Sequence, residues 1–70
     1  MTSVPISGEE IRLGQLLKLA GIVDSGGEAK LLLAAGSVTV NGEPELRRGR
    51  RLRPGDKVAV DGDEYLLVGD

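Results

Sequence analysis

Leu13, Leu16, Leu17 and Ala20 recur at i, i+3, i+4 and i+7, the spacing that gathers side chains on one helical face, and Gly21 supplies a stop. Ser7 and Glu10 have capping-box spacing, yet residues 10–12 read better as a short strand that enters a helix at Leu13. A second helix is predicted over residues 26–35. Ser25 and Glu28 stand three apart, as a capping box requires, Ala29, Leu32 and Leu33 renew the apolar stripe, and Gly36 closes the end.

Beyond Gly36 the period shortens to two. Val38 and Val40 alternate with polar neighbours up to Asn41-Gly42, a pair that accepts the positive φ angles of a tight hairpin. Pro44 restricts the returning strand to an edge or a late start. Pro54-Gly55 suits a type II turn ahead of a strand carrying Val58 and Val60; Asp61-Gly62-Asp63 turns the chain again, and residues 65–68 form a last apolar strand. The pattern predicts an α+β fold, two packed helices against a small, mostly antiparallel β-sheet. Residues 1–9 are read as an N-terminal extension and residues 10–70 as a single domain. Leu17→Asp or Leu32→Asp is expected to unfold it, because each apolar side chain taken from water contributes about 1.5–3 kcal/mol.

Seventy residues bury only about 60% of their unfolded surface, so the core has little to spare. With neither Cys nor His, the chain offers no disulfide, no thiolate or imidazole ligand, no thiol nucleophile and no imidazole base; no enzyme activity, metal or cofactor is expected. The start of the chain lacks a secretion signal, and no segment has the length of a membrane span, so a soluble, cytoplasmic monomer is expected. The net charge is -2, but its distribution is uneven: residues 12–53 carry eight basic against four acidic side chains, +4, and the two ends together carry -6. That asymmetry implies a basic face on an acidic body.

The candidate chemistry lies in Arg47-Arg48-Gly49-Arg50-Arg51, followed by Arg53. So many like charges repel unless an anion, or the nearby Glu43 and Glu45, offsets them. Guanidinium groups donate paired hydrogen bonds to phosphate, and Gly49 allows close backbone approach. With Tyr65 as the single aromatic residue there is no stacking platform for splayed bases, which favours structured RNA over single strands. Neither helix carries a basic face fit for the DNA major groove.

The order of elements, with Arg12-Leu13, Ala29-x-x-Leu32-Leu33-x-x-Gly36, Val38-x-Val40-Asn41-Gly42 and Pro54-Gly55-Asp56, resembles the S-four-type RNA-binding domain first described in a small-subunit ribosomal protein. The resemblance spans roughly residues 10–60 and is closest to small stand-alone bacterial members. It implies that the helix pair and the following hairpin form one surface for ribosomal or transfer RNA, with ribosome association, and that Arg12, Lys18 and Lys30 belong to it. Two positions depart from the family pattern. Gly14 stands where Asp is common, and Ser25-Gly26 where Ser-Arg is common, which removes a helix-start arginine. Arg47, Arg48, Arg50 and Arg51 are candidates to replace it, and Ser25, Gly26 and Gly27 could offer amides to phosphate. The rival readings are a ribosome- or enzyme-associated protein-interaction module without RNA contact and a ubiquitin-like sulfur carrier. The carrier's terminal Gly-Gly is absent here, where the chain ends Val68-Gly69-Asp70.

Overall fold

In chain order the elements are β1 (Thr2–Ile6), β2 (Ile11–Arg12), α1 (Leu13–Leu19), α2 (Gly26–Ala34), β3 (Val38–Val40), β4 (Glu43–Pro44), β5 (Arg51–Leu52), β6 (Lys57–Val60) and β7 (Asp63–Gly69). They come from a computed structural model that describes residues 1–69. Asp70, the end of the expected domain 10–70, lies outside the described residues. Five strands form one sheet in the order β1-β7-β6-β3-β4, and β2 pairs with β5 in a second, two-stranded sheet. The predicted α+β architecture is the one observed, antiparallel throughout except where β1 runs parallel to β7.

The core follows from the two periodicities. Leu13, Leu16 and Leu17 of α1 and Ala29 and Leu33 of α2 form one buried cluster with Val38 and Val40 of β3, Val58 and Val60 of β6 and Leu67 of β7. Leu32 is only half-buried at the margin of this cluster, so the disruption expected of Leu32→Asp belongs more properly to Leu33. Gly21 and Gly36 end the helices at φ +75° and +77°, a region open to glycine at no steric cost. At the β3–β4 turn both Asn41 and Gly42 have positive φ, as a type I′ hairpin requires. Pro44 sits on the edge strand. Among the described residues no helix is long and apolar enough to cross a membrane.

The reading of residues 1–9 as an extension needs correction. Thr2–Ile6 pairs in parallel with β7, in the register Val4 to Leu67, and buries Val4 and Ile6 in the core. Its signal is weak because only two apolar positions alternate and Pro5 interrupts them. Pro is nonetheless acceptable here, since β1 is an edge of the sheet.

Two turns that are far apart in the sequence hold each other. The Asn41 side-chain amide donates to Asp56 Oδ1 (3.1 Å), Asn41 Oδ1 accepts from the Lys57 amide (2.9 Å), and Asp56 Oδ2 accepts from the Arg53 amide (2.8 Å). The Asn-Gly and Pro-Gly-Asp motifs are thus two halves of one brace. The brace ties the turn that follows β5 to the β3–β4 hairpin.

Candidate nucleic-acid interface

Between β4 and β5 the arginine loop folds back onto the start of α1. The first amides of a helix have no partner within it. Here the Leu13 amide donates to the Arg50 carbonyl (2.8 Å) and the Gly14 amide to the Arg48 carbonyl (2.9 Å). A Cβ at Gly14 would lie 3.5 Å from Arg48 Cβ, an ordinary van der Waals distance, so the loop packs directly against this turn of α1. The adjoining β2–β5 pair sets Arg12 directly opposite Arg51. Like charges facing each other across a strand pair are unfavourable, and the exposed Glu10 carboxylate, 3.6 Å from Arg51, offsets them only weakly.

Glu45 supplies the counter-charge inside the loop. It is 7% exposed, and its two oxygens accept from five donors: the Leu46 and Arg47 amides, Arg47 Nε and Nη2, and Arg50 Nη1, all within 3.0–3.2 Å. The Arg47 side-chain and amide bonds, helped by Arg50 and opposed by burial, lower its pKa from 4.5 to about 2, so it stays ionised at neutral pH. The same pairing raises the Arg47 pKa further. Of the two acids considered as offsets to the cluster, Glu45 takes this part; among the described residues no ion pair involves Glu43.

Arg48 turns the other way, and its Nη1 donates to the Gly26 carbonyl at the start of α2 (3.3 Å). A Cβ on Gly26 would come within 3.3 Å of the same nitrogen, so the guanidinium occupies space that a side chain at position 26 would enter. Arg12, Lys18, Gly26 and Arg48 line one cleft of about 460 Å³ together with Gly14, Gln15 and Gly49. A neighbouring cleft of about 250 Å³ shares Arg12 and adds Arg51. A third, of about 540 Å³, is lined by Arg47, Gly49, Arg50 and Arg51. The shared residues make these one continuous surface, basic except for Glu10, which lines the second cleft.

The structure therefore brings together Arg12, Lys18, Gly26, Arg47, Arg48, Arg50 and Arg51. Ser25 has a structural task, since its Oγ accepts from the Glu28 amide (3.2 Å), while Glu28 accepts from the Asp24 amide rather than closing the box on Ser25. Gly27 is exposed in the first turn of α2, and Lys30 is exposed further along it; neither lines the three clefts. Gln15, whose Oε1 accepts from the Arg12 amide (3.3 Å), lines two clefts without having stood out in the sequence. The signal available for it was its place on α1, three residues after Arg12 and three before Lys18.

Comparison with known proteins bears on what this surface does. Residues 4–68 match the family model described as S4 domain. The Bacillus subtilis "Probable ribosome maturation protein RlbA" is 51% identical over 59 residues, 84% of this chain and 83% of that protein. The Escherichia coli "Putative RNA-binding protein YbcJ" is 36% identical over 58 residues, 83% of each. In the crystal structure of 30S ribosomal protein S4e from Thermoplasma acidophilum, a similar fold (TM-score 0.64, 24% identity) covers 84% of this chain and 31% of the ribosomal one.

Proposed function

The chain belongs to the S4 domain family, and on that premise we propose that it binds structured RNA, without catalysis, through the surface formed by the start of α1, the start of α2 and the arginine loop. One observation carries the reading: Arg48 comes from the distant arginine loop to join Arg12, just before α1, and Lys18 of α1 on one cleft, and Arg51 faces Arg12 beside it. An unoccupied concentration of cations is costly, and phosphate is the anion that would relieve it. The three glycines that line the cleft, Gly14, Gly26 and Gly49, keep its walls low, so a backbone phosphate can reach the cations. Ribosomal RNA is the first candidate, since one relative is named for ribosome maturation and another for RNA binding.

Replacing all four loop arginines is a poor test, because loss of Arg47 and Arg50 would strand the buried Glu45 carboxylate. Lys18→Ala, Arg48→Ala and Arg51→Ala avoid this. Each is expected to weaken binding to purified bacterial ribosomal RNA and to lower the slope of log affinity against log salt by about one, as when one fewer phosphate is neutralised. Affinity and slope unchanged in all three would refute the site.

A further inference from the structure

Glu45 is the one charged side chain among the described residues that is buried; it lines none of the three clefts, but it is bonded to Arg47 and Arg50, which line the third. A lone acid there should repel RNA. Its bonds suggest a different part. By accepting from the Leu46 and Arg47 amides it fixes the backbone where the loop leaves β4, and by accepting from Arg50 Nη1 it ties that corner to the far side of the loop. Between these points lie the Arg48 and Arg50 carbonyls that receive the Gly14 and Leu13 amides, and the Arg48 side chain that reaches Gly26.

We propose that Glu45 is the positioning residue of the interface: its carboxylate holds the arginine loop against α1, with Arg47 and Arg50 as its counter-ions, and thereby aims Arg48 and Arg51 at RNA. The cluster is thus divided by task rather than acting as a uniform patch of charge. This inference rests on the RNA-binding reading for its effect on affinity, but the ordering of the loop stands independently of any ligand.

Glu45→Gln gives the two views opposite signs. It removes a negative charge from a polyanion-binding face, so electrostatics alone predicts tighter binding. A neutral amide also makes weaker hydrogen bonds to the two guanidinium groups and gives up half its acceptor capacity. The positioning role therefore predicts weaker binding, by about tenfold, to purified bacterial ribosomal RNA, the scale of one charge-assisted bond. Asp61→Asn, the same charge change in an exposed turn, serves as control and should bind as the parent does or slightly more tightly. Without RNA, amide hydrogen exchange in Glu45→Gln should quicken at Leu13 and Gly14, whose acceptors lie in the loop, and stay slow at Leu67 in the sheet. Should that variant unfold, Glu45→Asp keeps the charge but is one methylene too short to hold both arginines, and the same losses are expected of it. Tight binding with unchanged protection of Leu13 and Gly14 would overturn the proposal. If the parent protein binds no ribosomal RNA, the RNA reading fails while the exchange experiment still decides whether Glu45 orders the loop.

Discussion

At Gly26 the Arg48 guanidinium occupies volume that a side chain would otherwise enter. In the family pattern that this sequence resembles an arginine is common there, on the first turn of α2; this chain has no side chain at that position and brings Arg48 in from the loop, Nη1 3.3 Å from where a Cβ would be. A guanidinium is thus delivered to the same helix start from a different point of the backbone. The exchange makes a reciprocal prediction. Arg48→Ala should weaken RNA binding by about tenfold or more, as removal of a charge-assisted hydrogen bond does, and Gly26→Arg in that background should restore it to within about threefold of the parent. Gly26→Arg alone should gain little, because the two guanidinium groups would be forced together. Titration against ribosomal RNA measures all three; a double variant as weak as Arg48→Ala would show that the two positions are not equivalent.

The elements differ in how clearly the sequence announces them, and the reason is the range of the interactions that define them. The helices and the two tight hairpins depend on contacts within a few residues: the Leu13, Leu16, Leu17 stripe, the Ser25 cap, and Asn41-Gly42 with both φ angles positive. All of these are legible. β1 is not, because a parallel partner more than sixty residues away, β7, is what makes it a strand, and nothing local to Thr2–Ile6 records that. The site divides in the same way. The arginine cluster stands out as composition, but its convergence with Arg12 and Lys18 depends on the Arg12–Arg51 register and on the loop carbonyls that cap α1, both products of tertiary folding. If β1 is part of the core, Ile6→Ala should destabilise the domain by about 2–5 kcal/mol in a denaturant titration, the cost of truncating a fully buried aliphatic side chain. A loss below about 0.5 kcal/mol, the range of ordinary surface changes, would return residues 1–9 to the status of an extension.

At the scale of the whole molecule, a net charge of -2 must be reconciled with a polyanionic ligand. Distance resolves the conflict. The cleft lies at the start of α2, whereas Asp61 is held beyond its end, its amide donating to the Ser37 carbonyl (3.3 Å). α2 runs from Gly26 to Ala34, about 12 Å at helical rise, which already exceeds the Debye length of about 8 Å at physiological salt. RNA seated at the cleft would then be largely screened from Asp61 and its neighbour Asp63, while Arg12, Lys18 and Arg48 act at contact range. At about 0.01 M salt the Debye length grows to about 30 Å, which equals the longest dimension of the molecule, 30 Å, and the acidic end comes back into play. Asp61→Asn combined with Asp63→Asn should therefore leave RNA affinity within about twofold of the parent at physiological salt and strengthen it clearly at low salt, whereas Arg48→Ala should weaken binding at both. Equal gains from the acidic pair at both salts would mean that the RNA extends to that end of the sheet, and the interface would have to be drawn larger than the three clefts.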